Sequence, residues 1–299
     1  MIYIFGHSNP SADLDSLLGC ILTKKYLKRK FNLESIAVSF EKFENKEDKR
    51  VLKLLNLKYP KLISKKDINP KDKFVLVDHN SLFESARKYN LKNKIFGIID
   101  HHYDINTPVT KFKIIKKVGS TATIIYNLYR AEKIEITKDD ALIFLYAIIS
   151  DTLNLDCEST TNEDRKAVKE IYKEFNDLEK PNLIFENIFD FKNQANKPAK
   201  ELIYFDLKNK EHNKVKFAMS VIYLNRNINS KFLKNIENNY PKNNDLYCVC
   251  IYNIKEKKSY LFYFGKLARH FKNKIYNRML SRKKTISPNI RKIIDKIKL

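Results

Sequence analysis

The sequence is poor in the features that mark membrane and secreted proteins. No apolar stretch approaches the roughly 20 residues that a membrane-spanning helix needs. The longest, Ala141–Ile149, is bordered by Asp139, Asp140 and Asp151. The apolar Met1–Phe5 is too short for the core of a signal peptide, and no basic segment precedes it. We therefore expect a soluble, cytoplasmic protein without a membrane partner.

Cysteine is also scarce, which argues against a disulfide framework or a zinc site. Cys20 and Cys157 stand alone, whereas Cys248 and Cys250 alternate within an apparent strand. A Cys-x-Cys pair without a second pair or a nearby histidine does not supply the ligands of a zinc site. We expect four buried thiols, as is usual in a reducing compartment.

Acidic residues are few compared with basic ones. The chain of 299 residues has 58 Lys+Arg against 35 Asp+Glu, a net charge of +23, and a hydrophobic fraction of 43% that excludes general disorder. Residues 255–299 carry 11 Lys and 4 Arg against Glu256 and Asp295, a net charge of +13. This surplus favours a polyanion partner such as nucleic acid, phosphates or an anionic membrane surface. A biased, Lys-rich composition with a solvated basic face would explain it equally well.

Apolar strands alternate with amphipathic helices in the first half of the chain. This order predicts an α/β fold with a parallel sheet and helices on its faces. Ligands bind such sheets at the carboxyl ends of the strands. The predicted strands are Ile2–Phe5, Ser35–Phe40, Lys73–Val77 and Ile95–Ile99, and the predicted helices are Leu14–Lys30, Thr121–Tyr129, Ala141–Ser150 and Glu163–Phe175.

The length of the chain indicates about two domains. A mixed stretch rich in Asn and Lys, with Pro181 and Pro198, follows the last of these helices. We interpret residues 1–180 as the first domain, 181–200 as a linker and hinge, and 201–299 as a smaller α+β domain. The strands predicted in the second domain are Lys216–Tyr223, Leu246–Tyr252 and Ser259–Phe264, with a helix over Ser230–Asn238.

Two carboxylates, Asp13 and Asp15, follow the first strand and its turn. Negative charges this close cost free energy unless a cation lies between them, and a hard divalent metal is the natural partner. The same pair would also suit a helix N-terminus, where acidic side chains complement the helix dipole. The Asp-x-Asp pattern alone does not distinguish the two interpretations.

Two further strands end in polar triplets, Asp78-His79-Asn80 and Asp100-His101-His102. Either triplet alone would suit a strand-end turn. Together at one edge of a sheet, with Asp151 following an apolar helix, they predict a metal site. Mixed imidazole and carboxylate ligands suit Mn²⁺, Co²⁺ or Zn²⁺, and a carboxylate-dominated set suits Mg²⁺. A carboxylate bridging two ions would define a two-metal hydrolytic site.

These segments carry a family resemblance. Ser11–Ser16, Val77–Asn80 and Ile99–His102 resemble the motifs of the DHH phosphoesterase superfamily, in the branch of family II inorganic pyrophosphatases and the exopolyphosphatase/prune group. Asp206-Leu207-Lys208, and Ser281-Arg282-Lys283-Lys284 followed by Pro288, resemble the second domain of that branch, DHHA2. The resemblance covers essentially the whole chain. It implies a parallel-sheet N-terminal DHH domain and a smaller α+β C-terminal DHHA2 domain.

The resemblance also implies a role for each matching residue. Two or more divalent cations, Mg²⁺ or Mn²⁺, would be bound, and a water held by them would be the nucleophile. Asp78 would bridge the metals, and His102 would contact the substrate phosphate; these two are the implied catalytic residues. The implied metal ligands are Asn9, Asp13, Asp15, Asp78, His101 and Asp151, and the implied substrate contacts are His79, Asn80, His102, Lys208, Arg282 and Lys283.

One position separates the two groups of the branch. The opening Gly6-His7-Ser8-Asn9-Pro10 matches the pyrophosphatases, in which the histidine is a metal ligand, but two extra residues precede Asp13. Counted back from Asp13, the ligand position falls on Asn9, as in the exopolyphosphatase/prune group. We assign Asn9 to the metal, with His7 as the alternative. An amide oxygen in place of an imidazole should shift preference from Mn²⁺ towards Mg²⁺.

Our first hypothesis is therefore an exopolyphosphatase that releases terminal phosphate from short inorganic polyphosphate. The alternative is a family II-like manganese-dependent inorganic pyrophosphatase. A nuclease or nucleotide phosphodiesterase of the superfamily would carry a Gly-rich second-domain motif, and none of the five glycines is adjacent to another. A degenerate member that only binds polyphosphate or a protein is the non-enzyme hypothesis. We expect polyphosphate or pyrophosphate as partner and not nucleic acid, and no subunit interface is legible in the sequence.

Overall fold

The computed structural model describes residues 1–6, 13–41, 46–80, 89, 91, 93–102, 107, 110–189, 197–205 and 207–297. The chain divides into two compact units. The first comprises Met1–Leu155 and Thr160–Ile188, and the second comprises Asp156–Ser159 and Phe189–Leu299. The chain therefore passes from one unit to the other three times.

The first unit contains a six-stranded sheet in which all neighbouring strands are parallel. Its spatial order is β3-β2-β1-β4-β5-β6, so the order reverses direction between β1 and β4. At such a reversal the connections leave towards opposite sides and open a crevice at the carboxyl ends of the strands. The strands are β1 (Ile2–Gly6), β2 (Ser35–Ser39), β3 (Lys61–Leu62), β4 (Lys73–Val77), β5 (Ile95–Asp100) and β6 (Phe112–Ile115).

Side-chain caps mark the start of four helices of the first unit, α1, α3, α4 and α5. Asp13 caps the first helix by accepting from Ser16 N at 3.0 Å, and Ser120 caps the third by accepting from Ala122 N. Thr137 and Thr161 begin the next two helices with capping boxes, in which the side chain three residues on returns a hydrogen bond. The helices are α1 (Leu14–Phe31), α2 (Lys46–Leu54), α3 (Thr121–Ala131), α4 (Lys138–Thr152), α5 (Asn162–Glu174) and α6 (Pro181–Phe189).

The second unit is built on a five-stranded mixed sheet in the order β11-β10-β9-β8-β7. Only the β8–β9 pair is parallel among these neighbours. Buried apolar side chains lie on both sides of the central strand, which is why all eight of its residues are buried. The elements are α7 (Ala199–Phe205), β7 (Lys208–His212), β8 (Val215–Leu224), α8 (Ser230–Asn239), β9 (Leu246–Asn253), β10 (Lys258–Phe264), β11 (Lys274–Tyr276), a π-helical turn (Arg282–Ile286) and α9 (Ser287–Ile294).

The predicted fold class is confirmed, with an α/β first unit and a smaller mixed second unit. All four cysteines are buried and unpaired with one another. None of the helices in the described ranges combines the length and apolar character needed to cross a membrane.

The predicted linker 181–200 differs from the structure. Its first part, Pro181–Phe189, is helical, and the first unit extends to Ile188. Ile184, Phe185 and Ile188 are buried, so this helix has an apolar stripe that is shielded from solvent. The surrounding Asn and Lys residues conceal that stripe in the sequence. Residues 190–196 lie outside the described ranges.

Gly265 provides a test of the second unit. Its φ of 105° is a conformation that side chains with a Cβ rarely adopt, and a Cβ there would lie 2.8 Å from the Asp245 carbonyl oxygen. We expect G265A to lower the free energy of unfolding of this unit by about 1–3 kcal/mol. Denaturant unfolding measures it, with the exposed neighbour variant K266A as control. Equal stability of the two variants would contradict the strain argument.

Candidate metal centre

The reversal of strand order places Asp78 directly after β4 at the crevice. Its side chain is buried, and its backbone has a φ of 63°, a left-handed conformation that Asp tolerates better than most residues. Two hydroxyl groups hold the carboxylate: Ser16 Oγ donates to Oδ2 at 2.9 Å, and Thr121 Oγ1 donates to Oδ1 at 3.0 Å. Asp78 is therefore fixed between the first turns of α1 and α3.

His101 lies at the centre of the cluster. Its Nδ1 is 3.1 Å from the Val118 carbonyl oxygen, which can only accept, so Nδ1 carries the proton. Its Nε2 faces Asp78 Oδ1 at 3.3 Å and Asp151 Oδ2 at 3.4 Å. A backbone acceptor at one ring nitrogen fixes the tautomer and turns the lone pair of the other towards a metal. This geometry is that of a metal-ligating histidine.

Asp15 enters the same cluster from the first turn of α1. It is buried, and its Oδ1 accepts from Ser120 Oγ at 2.6 Å and from Ala122 N at 3.1 Å, while Oδ2 accepts from Thr121 N at 2.7 Å. These donors form the N-terminus of α3, whose dipole favours negative charge. The hydrogen bonds explain how a carboxylate can be held next to two others.

Asp100, at the end of β5, orients the second histidine of the pair. Its Oδ1 accepts from His102 N at 3.0 Å and from His102 Nδ1 at 2.7 Å. Its Oδ2 accepts from Asn80 Nδ2 at 2.6 Å. Because Asp100 is fully buried, it locks the imidazole of His102 so that Nε2 is the nitrogen available for chemistry.

The side chains fit a divalent cation. Within the described ranges two groups have ligand atoms that all lie within 4.8 Å of one another, and both contain His101: one adds Asp78 and His102, the other Asp15 and Asp151. Three carboxylates around one imidazole bring more negative charge together than hydrogen bonds alone offset. A donor set of carboxylate oxygens and imidazole nitrogen suits Mn²⁺.

The pKa values of Asp15 and His101 are both raised, as expected for a cluster with excess negative charge. Burial raises the pKa of Asp15 well above its usual value, and the neighbouring Asp78 and Asp151 raise it further. Burial opposes protonation of His101, but Asp151, Asp78 and Asp15 outweigh it and raise the pKa of this imidazole. Without a metal, protons therefore supply part of the positive charge that the site requires.

A family model described as the DHH family, N-terminal domain, matches residues 1–149. A curated relative from Lactobacillus gasseri is 31% identical over 95% of this chain and 96% of its own length. The chain belongs to the DHH family. That relative is called a probable manganese-dependent inorganic pyrophosphatase, as is one from Lactobacillus helveticus that is 31% identical over 86% of this chain and 83% of its own.

Two solved structures share the fold of this DHH protein. A Methanococcus jannaschii structure described as a putative family II inorganic pyrophosphatase has a TM-score of 0.72 and 24% identity, covering 99% of this chain and 100% of its own. A Bacteroides fragilis structure described as an exopolyphosphatase-related protein has a TM-score of 0.55 and 15% identity, covering 99% of this chain and 90% of its own. At identities below 25%, these matches show that the fold is shared and no more.

The other residues predicted for the DHH site lie outside the two ligand groups or outside the described residues. Asp13 caps α1 and is in neither group, and its role as a metal ligand stays a prediction. His7 and Asn9 lie outside the described residues. His79 is buried with Nδ1 at 3.0 Å from the Val77 carbonyl oxygen, and its ring packs edge-on against Phe5.

The predicted phosphate contacts Lys208, Arg282 and Lys283 belong to the second unit. Lys208 begins β7, and Arg282 begins the π-helical turn that Ser281 caps by accepting from Lys284 N at 3.1 Å. The side chain of Lys283, and residue Asp206, lie outside the described part of the chain. Glu158 fixes the turn, because its Oε1 accepts from Ser281 N at 2.7 Å.

The sequence does not single out several residues that shape the DHH site. Ser16, Ser120 and Thr121 supply hydroxyl or amide donors to the carboxylates. Their only signal is that small polar residues stand at helix starts, which is common in proteins without a metal site. In the second unit, no sequence pattern marks Glu158 either, since its contact with Ser281 joins residues more than a hundred positions apart.

We expect binding of Mn²⁺ to release protons, with an affinity that rises with pH. The reason is that His101 and Asp15, whose pKa values are raised in the metal-free protein, must lose protons before they can coordinate. Calorimetry in two buffers of different ionisation enthalpy at neutral pH counts the protons. H101Q should release fewer, and H212N, which alters a surface ion pair with Asp295, should match the parent protein. No dependence on buffer would contradict the charge argument.

Proposed function

We propose that this DHH protein is a metal-dependent hydrolase of phosphoanhydride bonds that uses inorganic pyrophosphate as its substrate. The observation that carries the proposal is the cluster of Asp15, Asp78, Asp151 and His101, in which Asp15 and Asp78 are buried. It occurs in a chain that aligns along nearly its whole length with a relative named a probable manganese-dependent inorganic pyrophosphatase. Support for pyrophosphate thus comes from the relatives' names, and support for metal-dependent hydrolysis from the cluster.

Asp15, Asp78, His101 and Asp151 would hold the cation. A bound divalent cation lowers the pKa of a coordinated water and offsets the charge of the phosphate oxygens. Asp78 keeps its orientation through Ser16 and Thr121, and His101 keeps its tautomer through Val118. The protein thereby fixes the donor atoms before any ligand arrives, which lowers the cost of reorganisation during the reaction.

His102 is the residue we assign to the substrate phosphate. Asp100 accepts the Nδ1 proton at 2.7 Å and holds the ring, so that Nε2 is the nitrogen that would contact a phosphate oxygen. Arg282, Lys283 and Lys208 of the second unit are the proposed cationic contacts, with Arg282 able to bind phosphate through two parallel hydrogen bonds. Phosphoryl transfer builds charge on the nonbridging oxygens, which these groups would stabilise.

Inorganic polyphosphate is the second candidate substrate. It is favoured by Asn9 and the segment Ser11–Ser16, which resemble the exopolyphosphatase/prune group. The names of the full-length relatives favour pyrophosphate, the alternative in the sequence-based hypotheses. Both substrates have the same phosphoanhydride bond, so the metal centre described above serves either.

A phosphate-release series decides between them. Pyrophosphate, tripolyphosphate and long-chain polyphosphate are compared at equal concentrations of the terminal anhydride bond, with Mn²⁺ and with Mg²⁺. We expect the highest kcat/KM for pyrophosphate with Mn²⁺. Faster release from tripolyphosphate with Mg²⁺ would establish the exopolyphosphatase instead. No release from any of the three with either metal would reject the hydrolase proposal altogether.

Two variants separate metal binding from substrate binding. D78N should lower kcat by at least about 100-fold, the order of losing one group of a preorganised site. D72N is the matched control, because Asp72 is a buried carboxylate before the opposite end of the same strand, bonded to the N-terminal amine at 3.0 Å. Near-parental turnover of D78N would show that the Asp78 assignment is wrong.

R282A should instead raise KM by roughly 10- to 100-fold, the equivalent of about 1.5–3 kcal/mol for lost hydrogen bonds to a charged group. Its affinity for Mn²⁺ should be unchanged, because the metal ligands lie in the other unit. R291A, at an exposed position of α9, is the control in the same unit. An unchanged KM in R282A would remove this residue from the substrate contacts.

A further inference from the structure

Asp164 is a carboxylate without exposed area that the metal centre described above does not include. It lies in the first turn of α5, where it forms a capping box with Thr161. Its Oδ2 accepts from Thr161 N at 2.7 Å and from Thr161 Oγ1 at 2.7 Å. These contacts belong to the capping box, and they explain Asp164 as a residue that stabilises the start of α5.

Two further hydrogen bonds reach outside α5. Gly119 N donates to Oδ2 at 2.8 Å, and Thr123 Oγ1 donates to Oδ1 at 2.6 Å. Gly119 precedes α3 and Thr123 lies in its first turn. Asp164 therefore joins the N-terminal ends of two helices, where the dipoles of both favour its negative charge.

Gly119 shows how closely this junction is packed. A Cβ on Gly119 would lie 2.7 Å from Asp164 Oδ2 and 2.7 Å from Thr152 Cγ2. Such distances are far below van der Waals contact, so the backbone can approach Asp164 only because the residue is glycine. The turn is held between Asp164 on one side and the last residue of α4 on the other.

The two neighbours of Gly119 are the residues that hold the metal ligands. The Val118 carbonyl accepts the Nδ1 proton of His101 at 3.1 Å and so sets its tautomer. Ser120 Oγ donates to Asp15 at 2.6 Å. Displacing the backbone at Gly119 would move both supports at once, since they flank it directly in the chain.

We propose that Asp164 is a positioning residue of the metal centre, which acts through the turn Val118–Ser120 on His101 and Asp15. It touches neither ligand, and its effect is on where their donor atoms lie. The inference rests on the proposed metal-dependent function, but its test measures metal binding directly. Supporting residues of this kind typically change metal affinity by 10- to 100-fold when removed.

Asp140 provides a matched control within the same unit. It too is the third residue of a helix, forms a capping box with Thr137 and has no exposed side-chain area. Its other partners are Lys25 at 2.6 Å and Arg29 at 2.5 Å, on the far part of α1 from Asp15. Loss of Asp140 thus removes an equivalent cap without reaching the turn at Gly119.

The experiment measures Mn²⁺ affinity of the metal-free full chain by electron paramagnetic resonance, together with the melting temperature, for the parent, D164A, D164N, G119A and D140A. D164A and G119A should bind Mn²⁺ about 10- to 100-fold more weakly than the parent. The Mn²⁺ affinity of D140A should stay within about twofold of the parent's, as expected for a site distant from the ligands. This should hold even if the melting temperature of D140A falls as much as that of D164A. D164N keeps one oxygen acceptor for Gly119 N and should recover part of the affinity.

A second readout separates positioning from general destabilisation. In ¹⁵N-labelled metal-free protein, at a pH above the raised pKa of His101, the ring nitrogens of this neutral imidazole report which one carries the proton. The parent and D140A should show the proton on Nδ1, whereas D164A should show a mixture of tautomers. If D164A does not fold, D164N and G119A give the same comparison.

The outcomes distinguish this inference from the proposed function. D164A and G119A with the Mn²⁺ affinity and His101 tautomer of D140A would overturn the positioning role while leaving hydrolysis by the parent untouched. A parent protein that binds Mn²⁺ but hydrolyses no phosphoanhydride would reject the function. Weakened binding in D164A and G119A would still support the positioning role in that case.

Discussion

Repulsion among three neighbouring carboxylates, of which Asp15 and Asp78 are buried and Asp151 is partly exposed, is the main constraint on the first unit. Asp15, Asp78 and Asp151 are drawn from α1, the end of β4 and the end of α4, and all face His101 or its immediate surroundings. Bringing them out of water without compensation would cost several kcal/mol per charge. Hydroxyl and amide donors of the surrounding structure offset part of this cost. The negative charge that they leave uncompensated favours a bound cation.

The N-terminus of α3 is the main internal source of that compensation. Its first amides and the Ser120 hydroxyl donate to Asp15, and the Thr121 hydroxyl donates to Asp78. Because α3 is capped by Ser120, the positive end of its dipole lies beside the carboxylates. The same helix start places the Val118 carbonyl two residues upstream, where it accepts from His101. The position of one helix start therefore affects three ligands together.

The basic residues of the second unit are concentrated late in the chain, where residues 255–299 carry 11 Lys and 4 Arg against two acidic residues. Glu158, from the short segment between α4 and α5, accepts from Ser281 N and lies 3.8 Å from Arg278. Glu158 thus lies next to basic residues of this segment, and its hydrogen bond to Ser281 N holds the start of the turn that begins at Arg282.

The pattern of apolar strands and polar strand ends was enough to predict the architecture of the first unit and most of the proposed ligand set. Asp78, His101 and His102 follow apolar strands of a parallel sheet, and the carboxyl ends of such strands must meet at one edge. Asp15 follows β1 at the same edge, whereas Asp151 comes at the end of an apolar helix. The sequence also concealed the helix Pro181–Phe189, because polar neighbours mask its apolar stripe.

The hydrogen bonds that support the proposed ligands depend on tertiary contacts. Asp13 and Asp15 are two residues apart and chemically identical, yet Asp13 caps α1 from an extended backbone whereas Asp15 lies inside the first turn of the helix and faces the cluster. Asp164 looks like an ordinary capping-box residue in the sequence, and its contact with Gly119 spans 45 positions. Such long-range hydrogen bonds depend on where packing brings two helix ends together, and local residue patterns carry no record of that distance.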